Sequence, residues 1–261
     1  MADILKVTAA TKKFAGLVAV NDLSFTMKKR TIHALIGPNG AGKTTTINLM
    51  TGVFPLTSGE VFFDGEKISG FPTYKISRKG MSRTFQNIKV FPSMTLLENV
   101  MVGGHEIASM GIVQSLLNIR GANREEKMLK EKAEYILDYI GMYKLKDELM
   151  DNLPYGRQKM SELARALMTD PKLILLDEPA AGLNPSERSE LVKIILKIFN
   201  DGKDFFLIEH NMDVIMSISN YITVLNFGGK IAEGTPFEIQ NNDEVIKAYL
   251  GERFKKSEGT V

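Results

Sequence analysis

The chain has 261 residues, enough to bury a large core as one elaborated domain or as a core carrying an inserted subdomain. Its 33 basic and 31 acidic side chains nearly cancel, leaving a formal charge of +2, so no general field gathers nucleic acid or an anionic membrane surface. The absence of cysteine excludes disulfides and thiolate metal sites, and three scattered histidines, His33, His105 and His210, make no metal cluster.

No apolar run reaches the roughly 18 residues that cross a bilayer, and the opening "MADILKVTAATKKF" lacks the continuous apolar stretch of a signal peptide. A soluble chain is therefore expected, with no direct membrane insertion and no nucleic-acid partner. Along the chain, "LKVTAATKKF", "LSFTMKK", "GEVFFDGEKI" and "GKIAEGTP" are short strand patterns with Gly or Asp-Gly turns, which predict a small antiparallel sheet. "HALI" at 33–36 begins a different series of apolar runs, continued by "LILL" at 173–176, "FFLI" at 205–208 and "ITVL" at 222–225, that fit buried strands. Helical stripes separate them, one through Leu191, Ile194, Ile195 and Ile198 and another through Met212, Ile215 and Met216. The fold class predicted is α/β, with a mainly parallel, helix-covered sheet.

"GPNGAGKTT", residues 37–45, fits the P-loop pattern through Gly37, Gly42, Lys43 and Thr44, and it follows a strand and opens a helix. Glycines let backbone N–H groups curl round phosphate oxygens, and the helix N-terminus adds positive potential. Lys43 can reach the β and γ phosphates and Thr44 can offer its hydroxyl to Mg2+; Asn39, Gly40, Gly42 and Thr45 complete the expected nucleotide contacts. From 92 to 160 no strand-like run interrupts a helical pattern, in which Leu129, Ala133, Ile136 and Ile140 form an apolar face and Gly141 a stop. Division into a core of 1–91 and 161–240, a helical subdomain of 92–160 and a C-terminal extension of 241–261 follows, with the tail "ERFKKSEGTV" polar and frayed. "LILLDEP" then brings Asp177 and Glu178 to the end of a buried strand, where α/β sheets place ligands. Asp177 is placed to hold Mg2+ through water, and Glu178 to polarise an attacking water. "NDGKD" at 200–204 lacks the spacing of a guanine-reading motif and is a loop.

Taken in order, "TFQ" at 84–86, "LPYGRQ" at 153–158, "LILLDEP", "AGLNP" at 181–185 and "IEH" at 208–210 resemble an ABC ATPase along nearly the whole chain. The resemblance implies that ATP is the nucleotide, that Phe14 stacks on adenine while Val20 touches the same ring, that Gln86 meets Mg2+ and the attacking water, and that His210 bonds the γ-phosphate. On their own residues, the alternatives are a buried strand residue for Phe14, a surface amide for Gln86 and a structural role for His210. The signature that binds the opposite subunit's γ-phosphate is usually Leu-Ser-Gly-Gly-Gln, whereas here Leu153, Pro154, Tyr155, Gly156 and Arg157 stand in those places. Pro154 has neither hydroxyl nor N–H, so the helix entrance with Tyr155 and Gly156 must act through backbone groups and the helix dipole. Asn184 likewise stands where the family generally has Asp.

Within that family, "GMSRTFQNIKVFPSMTLLENVMVGGH" at 80–105, "LPYGRQKMSELARAL" at 153–167 and "DEPAAGLNP" at 177–185 resemble the ATPases of branched-chain amino acid importers. Membrane permease subunits, a second ATPase subunit as homo- or heterodimer and, indirectly, a solute-binding protein are the implied partners, at the cytoplasmic face of the cell membrane. Urea and lipopolysaccharide transport ATPases, or a soluble ABC ATPase, are the alternatives. Residues 106–123 read as helical-subdomain packing or as a docking surface.

Overall fold

The computed structural model describes residues 2–86, 88–104 and 119–249, with backbone alone for 119–123, so His105, the docking stretch 106–123 and the tail from 250 lie outside the described residues. Strands β1 (Asp3–Phe14), β2 (Leu17–Lys28), β4 (Ser58–Phe63) and β5 (Glu66–Lys67) form an antiparallel sheet in the order β2-β1-β4-β5. A six-stranded sheet is built from β3 (Ile32–Ile36), β6 (Met81–Arg83), β7 (Leu173–Asp177), β8 (Asp204–Ile208), β9 (Tyr221–Asn226) and β10 (Gly229–Gly234). Its order is β10-β9-β3-β8-β7-β6, with β9, β3, β8, β7 and β6 parallel and β10 antiparallel at one edge.

β10 is "GKIAEG", a segment whose pattern predicts membership of the small antiparallel sheet, and here the structure corrects the reading. A two-residue turn through Phe227 and Gly228 folds β10 straight back on β9. So short a loop closes at little entropic cost and fixes its partner.

The parallel strands read as continuous apolar runs because both faces are covered. Ile32, Ala34, Ile36, Ile174, Leu176, Phe205, Leu207, Ile222 and Val224 face one core. That core is completed by helices α3 (Leu96–Val102), α4 (Ile119–Tyr139), α5 (Tyr155–Leu167), α6 (Pro185–Asn200), α7 (Met212–Ile218) and α8 (Pro236–Gln240). Leu35, Leu173, Leu175, Phe206, Ile208 and Leu225 point the other way, against the antiparallel sheet, α1 (Lys43–Met50) and α2 (Thr73–Arg78). Between 92 and 160 the described residues hold α3, α4, two 3-10 turns at Tyr143–Leu145 and Met150–Asn152, and the start of α5, with one isolated bridge between Thr95 and Leu149. No helix among the described residues is long and apolar enough to cross a membrane.

His33 is wholly buried between the two sheets, its Nε2 paired with Thr223 Oγ1 at 2.9 Å and its ring stacked near Phe25 and Phe206. Burial, aided by the Lys230 charge, pulls its pKa down to about 3 from the ordinary 6.5, so the ring is neutral in the fold. The unfolded chain therefore takes up the proton more readily: stability from this group is full above 6.5 and falls as pH drops toward 3. Urea unfolding is expected to show a loss of about 1.4 kcal/mol per pH unit from this group between pH 6 and 4.5. His33→Asn should be shallower by that slope, and an equal slope in the variant would assign the acid sensitivity elsewhere.

Candidate functional site

The loop after β3 turns through residues 37–42 into α1. Gly42, the N-cap, has φ 99°, and a Cβ there would stand 2.4 Å from the Ala19 carbonyl oxygen, so only glycine closes the loop against β2. Lys43 Nζ donates to the Gly37 and Pro38 carbonyls at 2.7 and 2.8 Å, folding the ammonium back over its own loop. Thr44 is exposed at the helix start, and no acidic residue occupies the first turn of α1, leaving the dipole's positive end open to an anion.

Because β3, β6, β7 and β8 run parallel, the segments following them emerge at the same edge. There Gln86 Nε2 donates to Glu178 Oε2 at 2.9 Å, and His210 Nε2 lies 2.8 Å from Glu178 Oε1. Glu178 holds a left-handed φ of 50°, a conformation costing a non-glycine residue about 1–3 kcal/mol and found where a side chain must be aimed. Buried Glu209 secures the neighbouring loops: its Oε1 accepts from the Ala180 N–H at 2.6 Å and its Oε2 from the His210 N–H at 2.9 Å.

Two buried cations tie this edge to the rest of the molecule. From α5, Lys159 Nζ donates to the carbonyls of both Gln86 and Glu178 at 3.1 Å. Desolvation pulls this ammonium below its ordinary pKa, against the charges of Glu162, Glu209, Glu178 and Asp177. Arg83, at the end of β6, donates to Asp177 Oδ2 at 2.8 Å and to Asn48 Oδ1 of α1 at 2.6 Å. Asp177 is 2% exposed, and its other oxygen, Oδ1, has no hydrogen-bond partner.

A cleft of about 510 Å³ opens over this edge, lined by Asn39, Gly40, Gly42, Lys43, Thr44, Thr45, Gln86, Glu178 and His210, all expected from the sequence. Leu17, Val18, Ala19, Ala41 and Phe227 complete the wall. Five expected contacts lie outside this lining, the first being Asp177, buried at the end of β7 beside Arg83. Val20 is fully buried in the core beneath the loop, because alternation along β2 turns it inward, and its neighbours face the cleft instead. Phe14 stands edge-on to Phe54 outside the lining, with centroids 5.3 Å apart. Tyr155 and Gly156 open α5, away from this cleft and without a side-chain cap, with Pro154 as N-cap.

Around that helix entrance the packing is tight. A Cβ on Gly156 would meet Glu187 Oε1 at 2.5 Å, and the Tyr155 ring lies over Gly182. Glu187 closes a capping box with Asn184, accepting from the Asn184 N–H at 2.9 Å, and Arg157 pairs with Glu190 at 2.7 Å. Asn184 thus caps α6, a role open to Asn and Asp alike.

Residues 20–181 match the model of the ABC transporter family. The chain belongs to that family. As an ABC ATP-binding cassette it is an ATPase, and residues 230–255 further match a branched-chain amino acid ATP-binding cassette transporter model. It is 42% identical to the high-affinity branched-chain amino acid transport ATP-binding protein BraF of Pseudomonas aeruginosa, over 95% of this chain and 98% of that protein. It is 40% identical to LivG, of the same description, from Escherichia coli strain K12, again over 95% and 98%. The solved ADP conformation of MJ1267, an ATP-binding cassette of an ABC transporter, superposes with a TM-score of 0.84 at 31% identity, covering 96% of this chain and all of that one.

Reading the cassette's sequence alone gives no role to Arg83, Lys159 or Glu209, although Glu209 lies inside "IEH" and Lys159 inside "LPYGRQKMSELARAL"; their burial and partners show what they do. An arginine just before "TFQ" was the available signal for the first. Arg83 and Asp177 are 10% and 3% exposed, so Arg83→Met strands a buried carboxylate and should cost about 3 kcal/mol in denaturant unfolding. Arg83→Met with Asp177→Asn should recover at least about 1 kcal/mol of that loss, whereas strict additivity would show that the pair does not interact.

Proposed function

We propose that this ATPase powers an importer of branched-chain amino acids, working as one of a pair of ATPase subunits beneath a membrane permease on the cytoplasmic face of the membrane. The observation that carries hydrolysis is the meeting of Gln86, Glu178 and His210 over the P-loop cleft. The solute class is supported by the relatives' names and by the match at residues 230–255.

On this reading the loop of Asn39, Gly40 and Gly42, with Thr44 and Thr45, wraps the phosphates, and Lys43 exchanges its Gly37 and Pro38 carbonyls for the β and γ oxygens. Mg2+ would be held by Thr44, Gln86 and, through water, Asp177. The unpartnered Asp177 Oδ1 and the exposed Thr44 hydroxyl fit an oxygen-ligated cation. When bound, that ion neutralises charge on the β and γ phosphates.

Glu178 begins with both oxygens engaged, one by Gln86 and one by His210. A γ-phosphate gives His210 another acceptor and releases Oε1 to a water. The water oxygen attacks the γ-phosphorus, its proton passes to the Glu178 carboxylate, and the bond from phosphorus to the β–γ bridging oxygen breaks with its electrons leaving on ADP. The position of Tyr155 and Gly156 outside their own chain's cleft supports a role on the opposite subunit's γ-phosphate, through backbone N–H groups.

For the permease, the face favoured is a cleft of about 610 Å³ beside Gln86, lined by Val53, Tyr74, Phe85, Phe91 and Val102 with Lys89, Glu162 and Arg165. Exposed apolar side chains gathered in one groove suit a helical partner.

Captured from gently solubilised membranes and supplied with its binding protein, the complex should show ATP turnover stimulated by leucine or valine. Permease capture without that stimulation would discard the solute assignment. Glu178→Gln removes the base while keeping the amide in hydrogen-bonding reach. Mixed with ATP, Mg2+ and the partner ATPase, it should elute from gel filtration as a nucleotide-bound dimer, and a persistent monomer would count against the two-subunit arrangement.

A further inference from the structure

We propose that Lys159 is a positioning residue for ATP hydrolysis, holding the backbone of Glu178 in the strained conformation that aims its carboxylate into the cleft. The inference rests on the reading of Glu178 as the base.

A residue with a Cβ relaxes to negative φ unless its surroundings hold it, so the φ of 50° at Glu178 needs support from outside its own turn. Both peptide groups that flank its Cα are held. On one side the Glu178 N–H donates to the Ile208 carbonyl of β8 at 2.8 Å. On the other, the Glu178 carbonyl accepts from the Ala181 N–H at 3.2 Å and from Lys159 Nζ at 3.1 Å. The Ala181 bond lies within the same short turn and moves with it. Of these two bonds only the ammonium ties the carbonyl to another element, α5.

The same nitrogen holds a second carbonyl, that of Gln86, also at 3.1 Å. Gln86 and Glu178 are thus tied twice, through their backbones by Lys159 and through their side chains by the bond from Gln86 Nε2 to Glu178 Oε2. Two further side chains of α5 reinforce the first. Glu162 accepts from the Lys89 N–H at 2.9 Å, and Arg165 donates to the Lys89 carbonyl. Spacings of three keep Lys159, Glu162 and Arg165 on one side of the helix, so the backbone is gripped at Gln86 and again at Lys89.

Stability alone accounts poorly for a lysine here. Lys159 is 6% exposed, and an ammonium buried to that degree is costly beside an apolar side chain of like size. What the lysine supplies is geometry: a long stem with several donors at its tip, bonding at once the carbonyls of two loops that lie far apart in the chain.

Steady-state turnover of the complex captured with its permease tests this, with ATP affinity measured by calorimetry on the same preparations. Lys159→Met removes both bonds and should lower kcat about 50-fold, while KM and Kd for ATP stay within about twofold because binding is left to the P-loop. Lys159→Arg keeps donors for both carbonyls and should return kcat to within about fivefold of wild type. Combined with Glu178→Gln, Lys159→Met should lower the residual turnover no further, since a residue that acts through Glu178 has nothing to aim once the base is gone. The proposal is overturned if kcat of Lys159→Met is unchanged, if KM rises in step with the loss, if arginine restores nothing, or if the losses add in the double variant. Should Lys159→Met not assemble, Lys159→Gln, whose amide is too short to span both carbonyls, should show the same split between kcat and KM. Failure of both to assemble would make Lys159 a folding residue and overturn the proposal as well. Wild-type turnover in Glu178→Gln alone would instead remove the base reading beneath it.

Discussion

Everything at this site depends on the parallel alignment of β3 with its neighbours. A strand buried on both faces must be apolar throughout, so polar chemistry is confined to strand ends, and parallel pairing puts those ends on one edge. The loop after β3, Gln86 after β6, Glu178 after β7 and His210 after β8 are separated by many tens of residues, yet three of their side chains form a hydrogen-bonded row. Phe227, in the turn after β9, reaches the same cleft by the same logic.

Holding that edge in one geometry falls to buried polar groups rather than to the apolar cores. Lys159 and Glu209 satisfy backbone carbonyls and N–H groups of the loops that carry Gln86, Glu178, Ala180 and His210. Burial of such groups is costly unless every bond is made, which is why they select a single arrangement of otherwise exposed loops. Lys159 also lies on the same helix as Tyr155 and Gly156. A displacement of α5 therefore acts directly on the backbone of Glu178, the cleft's acid, and of Gln86, which holds it. The packing of Glu187 against Gly156, and of Tyr155 over Gly182, extends the same rigidity toward α6.

Local patterns were readable wherever chemistry requires a fixed spacing. The P-loop, the acids at the end of β7 and the histidine after β8 each occupy a few consecutive residues, and the P-loop, Glu178 and His210 line the cleft while Asp177 lies buried beneath it. Inward or outward placement along β2 was less readable: Val20 and Ala19 differ by one position, and a period of two sends one to the core and the other to the cleft. The mistake over β10 has a related origin, since "GKIAEG" is a good edge strand in either sheet and the short turn before it decided which.

By itself the sequence determined the strand and helix alternation, the phosphate loop and the identity of the acid, amide and histidine, because these rest on local periodicity and on motifs whose chemistry is carried by neighbouring residues. Tertiary structure alone decided that Arg83 pairs with Asp177, that Lys159 fastens α5 to the cleft, that Phe14 is packed against Phe54 and that Phe227 stands exposed beside the P-loop. Those are contacts between residues far apart in the chain, and burial and direction, which no short stretch encodes, are what give them meaning.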